Sequence, residues 1–383
     1  MKKAIRIVHL WVGLAAGTVL FVVAVTGTLL VFRDELEPLI YHRELFVPGV
    51  QEQRLSMDEL IRIARQRLPH DSITKIRLFD RPDRTVLFRM ENNHPGSPRM
   101  LISIDPYTGR MLKVRHYDRW FFESVEQIHR YLLLGPRGKI ITGISCASLL
   151  IMLLSGLVLW WPAGRNAVRQ RFRVKLSASR KRRNWDLHAV IGFYAAPLLI
   201  ITVVTGLTMS YKWVGEIMDL VGDGHVSSVK TAVYGEDHGR SKGGVYDRMI
   251  LTTRNVFPVH GDMTILPPYG TRKEVAIYQE EGNASTHGIL NLIQFDPGTG
   301  ATLAIKPFEE KSAGGKIHAL VTSIHTGRIY GWPTKVAALL LSLVTASLPV
   351  TGFCLWRGKK RPRKALPVRR PHIRSMPDCS RVS

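Results

Sequence analysis

Charge is missing from four long stretches of this chain. No Asp, Glu, Lys or Arg occurs from Ile7 to Phe32, from Ile140 to Trp161, from Leu187 to Tyr211 or from Val336 to Trp356. Each run can cross ~30 Å of hydrocarbon at ~1.5 Å per helical residue. That excludes an ordinary water-soluble fold and predicts four transmembrane helices. Cysteine is scarce: Cys146 and Cys354 fall within the runs and Cys379 near the end. No disulfide framework is therefore indicated between the runs, and the lack of any CxxCH argues against covalently attached c-type haem. A cleavage site is missing too. The chain opens MKK like a signal peptide, but its apolar stretch is too long and no small-x-small site follows, so the first run reads as a retained anchor.

Acidic residues are outnumbered, 30 against 54 lysines and arginines, for a formal charge of +24. The excess is concentrated. Lys2, Lys3 and Arg6 precede the first run, and Arg165, Arg169, Arg171, Arg173, Lys175, Arg180, Lys181, Arg182 and Arg183 link the second to the third. The tail from Arg357 to Arg374 is equally basic. The positive-inside rule assigns all three segments to the cytoplasm. The charge is then topology and contact with anionic lipid, and a nucleic-acid partner is rejected. The predicted plan is a helix over 1–33, an outer segment over 34–135, a helix over 136–162 and a basic cytoplasmic loop over 163–186. A helix over 187–212, an outer segment over 213–332, a helix over 333–357 and a cytoplasmic tail over 358–383 complete it.

The chain is written twice. "HLWVGL" at His9 and "HAVIGF" at His188 each place Gly four residues on (Gly13, Gly192) and Thr-Gly at the same later offset (Thr26-Gly27, Thr205-Gly206). "HRYLLLG" at His129 and "HTGRIYG" at His325 share their offsets to Gly, to Ser155-Gly156 or Thr351-Gly352, and to Trp160 or Trp356. Upstream of each lies a turn signature, "DPYTG" at 105–109 and "DPGTG" at 296–300. Both halves start and end inside, so the repeat is parallel and can pack about a pseudo-twofold axis along the membrane normal. The fold class is a membrane protein, mainly α: a four-helix transmembrane bundle from a parallel internal repeat, with two outer α+β domains. In the first, "SMDELIRIARQRLP" reads as an amphipathic helix, and "TVLFRM" and "RMLISIDPYTGRML" as strands. "EVAIYQEEG" and "ILNLIQFDPGTGATL" are the comparable strands of the second, and the segment 225–247 reads as a polar loop.

His9 and His188 are equivalents at the cytoplasmic ends of their helices, and His129 and His325 are equivalents at the outer ends. A twofold axis would bring each pair face to face. Two facing imidazoles in an apolar bundle meet the axial requirement of a b-type haem. Two such haems would form an electron path across the bilayer, and bis-His ligation leaves no open iron site. The plainer reading, a hydrogen-bonding histidine at a helix end, stays open for each. Zinc or copper would want further ligands nearby, and a proton relay would want carboxylates in the spans. His318, seven residues before His325, rivals it for the outer site, but its counterpart in the other half is Phe122, so His325 is preferred. Arg33 and Lys212, equivalents at the outer ends of helices one and three, are candidates to pair with haem propionates or to snorkel to headgroups. Trp160, Trp161 and Trp356 read as a cytoplasmic aromatic belt. The four Ser/Thr-Gly pairs read as close helix packing points or as room for a macrocycle.

At "HLWVGL…TGTLLVFRDEL", "IHRYLLLG", "SGLVLWWP", "NWDLHAVIGFYA" and "IHTGRIYGWP" the chain resembles the PepSY-associated transmembrane family of bacterial inner-membrane proteins. The resemblance covers nearly the whole chain. The family includes haem-containing ferric-siderophore reductases. It therefore implies two PepSY-like periplasmic domains, two b haems on His9, His129, His188 and His325, and a periplasmic ferric siderophore that accepts electrons and releases Fe(II). Some relatives carry a fused flavin reductase domain. This tail is short and no GxGxxG or P-loop occurs, so an external donor is implied, a quinol or a cytoplasmic flavoprotein. Arg119, Trp120 and Arg328 lie close in sequence to the outer histidines and are candidates to meet an anionic chelate. His94, His116, His225, His238, His260 and His287 read as ordinary surface histidines. PepSY domains are also associated with protease inhibition and chaperoning. A membrane-anchored polypeptide binder is thus the alternative, and a transporter ranks third because the spans hold no charges for a coupling ion.

Overall fold

A computed structural model describes residues 2–359 apart from 93, 95–96, 163–167, 169–170, 224–243 and 283. Arg165, Arg169, His225, His238, Cys379, most of the expected 225–247 loop and all of the tail beyond Lys359 lie outside the described residues. The first half runs α1 (Lys2–Leu30), α2 (Arg33–Ile40), α3 (His42–Leu45), α4 (Met57–Arg67), β1 (Ser72–Leu78), β2 (Val86–Glu91), β3 (Met100–Ile104), β4 (Met111–His116), α5 (Phe121–Tyr131) and α6 (Gly135–Trp160). The second runs α7 (Arg180–Ser210), α8 (Lys212–Asp223), α9 (Val245–Val256), β5 (Met263–Leu266), β6 (Val275–Glu280), β7 (Leu290–Phe295), β8 (Thr302–Lys306), α10 (Ala313–His325) and α11 (Trp332–Lys359).

Four helices, α1, α6, α7 and α11, are long and apolar enough to cross a membrane. Their inner faces carry small and branched residues that let the helices approach: Ala16 and Leu20 of α1 meet Leu149 and Leu153 of α6 and Ala196 and Leu199 of α7. Their outer faces expose large apolar side chains, among them Trp11, Phe21, Ile144, Ile151, Leu198 and Leu340. Such a band fits hydrocarbon, where every backbone polar group must be satisfied within the helix. One turn departs from α geometry. Leu187–Ile191 is a π turn inside α7, and it carries His188; such bulges gather at functional positions.

The strands come from both of the segments expected to form α+β domains. They form one eight-stranded antiparallel sheet in the order β4-β3-β2-β1-β5-β6-β7-β8. The seam pairs Ile76 with Ile265, Arg77 with Thr264 and Leu78 with Met263. Two four-stranded sheets would each expose β1 or β5 as an unpaired edge, and joining them removes both edges. One core spans the seam: Ile76, Phe88, Met90 and Ile102 from the first half join Ile265, Ile277, Ile293 and Phe295 from the second under α4 and α9. The covering helices also exchange caps. Asp247 of α9 accepts from the backbone of Met57 at 2.8 Å, while Asp58 of α4 accepts from Tyr246 at 3.0 Å, satisfying helix N-termini that would otherwise be orphaned. Both DP-x-TG turns close hairpins as the sequence predicts. Asp105 accepts from the backbone of Tyr107 and Asp296 from that of Thr299, and Gly109 and Gly300 take left-handed φ of 70° and 77°.

Candidate functional site

The bundle brings the four histidines together in two pairs. The ring centroids of His9 and His188 lie 6.4 Å apart, and those of His129 and His325 also 6.4 Å. A metal bonded to both rings of a pair needs roughly 6.4 Å between centres, from two bonds of ~2.0–2.1 Å and ~1.2 Å inside each ring. Both pairs have that spacing.

Each ring is held by its Nδ1 (assigned from hydrogen-bond geometry). His129 donates to the Val23 carbonyl at 2.9 Å and His325 to the Thr202 carbonyl at 3.0 Å. A carbonyl only accepts, so Nδ1 carries the proton in both rings. In the other pair the partners are hydroxyls. Ser155 Oγ meets His9 at 2.9 Å and Thr351 Oγ1 meets His188 at 2.9 Å. Each hydroxyl spends its one hydrogen on a carbonyl of its own helix, Met152 and Ser347, and so accepts from Nδ1. Thr26 and Thr205 stand beside His129 and His325 in the same way, at 3.1 and 3.2 Å. All four Nε2 atoms are left without a hydrogen bond among the described residues. A fixed tautomer with Nε2 unprotonated is the form that ligates a metal.

The glycine after each hydroxyl residue makes room for the ring. A Cβ on Gly27 would stand 3.2 Å from His129 Cε1, one on Gly206 2.9 Å from His325, one on Gly156 3.4 Å from His9 and one on Gly352 3.3 Å from His188. The four Ser/Thr-Gly pairs are thus seats for imidazoles: the hydroxyl orients and the glycine clears. Sequence reasoning gave these hydroxyls no such role, although the shared offsets from each histidine carried the signal.

Around His9 and His188 opens a largely apolar cavity of about 770 Å³, within the ~300–1,000 Å³ range of cofactor sites. Gly13, Gly17, Gly192 and Gly352 thin its walls, and Lys2, Lys3, Arg6 and Arg171 line its inner end. A flat apolar group with acidic edges fits this donor set. Among the described residues no cluster of three or more His, Cys, Asp or Glu is gathered for a bare metal ion; a macrocycle needs only two axial donors.

A second cavity, about 480 Å³ and strongly charged, lies between the sheet, α2 and the start of α11. Arg33 is ion-paired with Glu123, Glu37 (3.3 Å) and Glu126 (3.2 Å). Burial alone would lower its pKa, but Glu123 and Glu37 hold it above the usual arginine value, while burial raises that of Glu123. Glu123, Glu126 and His129 share α5. The cleft therefore begins within ~9 Å, six residues of helical rise, of the outer histidine pair.

A family model for the PepSY-associated TM region matches residues 6–359. The chain belongs to this family. No curated protein sequence matches it.

In this PepSY-associated chain it is His325 that faces His129. His318 is 44 % exposed and bonds Asp219 of α8 at 3.0 Å. Arg33 is taken up by its three carboxylates, and Lys212 is exposed at the start of α8. Arg328 and Trp120 line the charged cleft, Arg328 bonding Asp34 and Glu280 at 3.2 Å each, whereas Arg119 is exposed and not part of the lining. The expected aromatic belt needs a correction. Trp160 is buried and stacked on Phe193 at 3.6 Å, and with Trp356 it lines the inner cavity, leaving Trp161 exposed. Trp185, which sequence reasoning passed over, lines the same cavity.

Proposed function

We propose that this chain is a di-haem b electron-transfer protein of the bacterial inner membrane that reduces a ferric siderophore on the periplasmic side. The observation that carries the reading is the pair of histidine pairs, each at iron-bridging distance with Nδ1 already bonded. Bound at both, haem b would supply one-electron carriers on the two sides of the bilayer. His9 and the Val23–Thr26 segment that holds His129 lie on the same helix, so the two sites are separated by ~20–25 Å along it. Lys2, Lys3, Arg6 and Arg171 suit the propionates of the inner haem better than Arg33 suits those of the outer, because Arg33 is already neutralised.

The chain would be a parallel repeat with both termini cytoplasmic and the sheet periplasmic, as the basic residues before α1 and around α7 support. An external donor, a quinol or a cytoplasmic flavoprotein, would deliver electrons to the His9–His188 side. One electron converts ferric iron, held tightly by hard oxygen donors, to softer ferrous iron, and the chelate lets go. The protein's own part is to hold the chelate beside the outer pair and exclude competing acceptors.

The test is chemical. Purified protein, reduced anaerobically and mixed with a ferric chelate in the presence of a chromogenic ferrous trap, should release Fe(II) as the haem bands reoxidise together. Fe(II) release that is unchanged in the His129→Ala variant would remove the outer pair from the path.

A further inference from the structure

The charged outer cleft has two walls of different electrical character. On the bundle side the cations are outnumbered by carboxylates: Arg33 is paired with Glu37, Glu123 and Glu126, Arg328 and Lys335 with Asp34, and Lys335 also with Glu35 at 2.6 Å. On the sheet side the alternation of β1 and β2 turns Lys75, Arg77 and Arg89 away from the core, and the turn after β1 adds Arg81 and Arg84. Arg77, Arg81 and Arg89 each reach one carboxylate, at 3.6, 2.6 and 3.1 Å. Among the described residues Lys75 and Arg84 have none. The Arg84 guanidinium lies over Phe79 at 4.0 Å and Phe46 at 4.8 Å, and its Nε is buried without a partner among the described residues.

Burial, and after it the charges of Arg77, Arg89 and Arg33, bring the Lys75 ammonium down to about 8. Cations crowded on one half-buried face repel one another, and an anion seated among them relieves that repulsion. The carboxylate-rich wall opposite offers no such gain.

We propose that the sheet-side wall, centred on Lys75 and Arg84, recognises a soluble ferric chelate of net negative charge, with catecholate or carboxylate oxygens, in preference to a neutral hydroxamate chelate. This rests on the reductase reading and names its substrate class. The wall supplies ammonium and guanidinium donors for anionic oxygens, and its Phe46 and Phe79 hold the guanidinium in place.

Gallium(III) tests this without electron transfer, since it matches ferric iron in charge and size and is not readily reduced. Binding of a hexadentate gallium tris-catecholate, carrying three negative charges, is compared with that of a neutral hexadentate gallium tris-hydroxamate, using the full chain in nanodiscs of neutral phosphatidylcholine. The anionic complex is expected to bind at least roughly tenfold more tightly, and the preference to shrink to about twofold in the Lys75→Gln/Arg84→Gln double variant. Lys75→Gln alone should fall between, with haem content unchanged in both. Equal affinities, no binding of either complex, or a preference that survives the double substitution would overturn the proposal. So would loss of chelate binding in nanodiscs containing an anionic phospholipid, which would identify a headgroup as the occupant. A haem-free chain that still prefers the anionic complex sinks the reductase reading and leaves this site standing. A two-haem chain that reduces ferric chelates while its gallium affinities are equal does the reverse.

Discussion

The sheet and the bundle each join the two halves of the chain over a shared apolar core, and they differ in what else faces across the join. In the sheet the join is a hydrogen-bonded backbone ladder between β1 and β5 over its apolar core. In the bundle, besides the apolar contacts, two pairs of imidazoles from the two halves face each other with no hydrogen bond between them and ring centroids 6.4 Å apart. The bundle adds to its packing two imidazole pairs for which the sheet has no counterpart, and on the haem reading proposed above those pairs are what sets the bundle apart.

The sharpest way to break that contrast is to remove one histidine. His188→Ala should cost the inner haem and His325→Ala the outer one, each taking the haem-to-chain ratio from two to one, while His318→Ala leaves both. A haem assay per chain decides it.

Breaking the seam comes next. Ile265 is fully buried, and truncation to Ala should cost ~2–4 kcal/mol. Because its register partner is Ile76, the Ile76→Ala/Ile265→Ala double variant should be non-additive. Denaturant unfolding that shows only the second half loosening would contradict a single shared core.

Smaller changes sharpen the comparison between the two pairs. Gly206→Ala places its Cβ 2.9 Å from His325 Cε1, whereas Gly156→Ala reaches ordinary contact at 3.4 Å from His9. The first should perturb the outer haem's visible bands and the second leave the inner haem's bands almost unmoved. Thr351→Val removes the acceptor that orients His188 and should weaken the inner haem by roughly tenfold, as loss of an orienting partner does. Unchanged haem dissociation in that variant would mean the hydroxyl only packs.

The mildest effect is a pH profile in the outer cleft. Lys75 faces Arg77 on its own strand, Arg89 on β2, Arg33 on α2 and Glu126 on α5, and its pKa is lowered to about 8. Above that value the folded protein loses the charge while the unfolded chain keeps it up to the ordinary lysine range. Ligand-free stability should therefore rise with pH across that window. Affinity for the anionic gallium complex should fall over the same window, and the Lys75→Gln variant should show neither slope.

Much of this was legible in residues. Charge-free runs gave the spans, and matched offsets gave the histidine pairs because a helix keeps its register over the whole bilayer. β1 and β5 escaped notice, and with them the seam. β1 reads "SITKIRL", where Lys75 and Arg77 on the cleft face interrupt an otherwise apolar strand, and β5 is only four residues long. The cleft was invisible for the same reason: its cations are spread over β1, β2 and the turn between them, and only the pleat and the fold bring them to one wall. Trp160 was misread because its distance from a helix end says nothing about which face it occupies.

The central claim stands on whether each pair of imidazoles shares an iron. Detergent-purified full chain, expressed with ample haem, should contain two b haems per chain with low-spin bis-histidine bands in both oxidation states. One haem, none, or a high-spin spectrum would contradict it, and the eight-stranded sheet would become the place to seek the chain's activity.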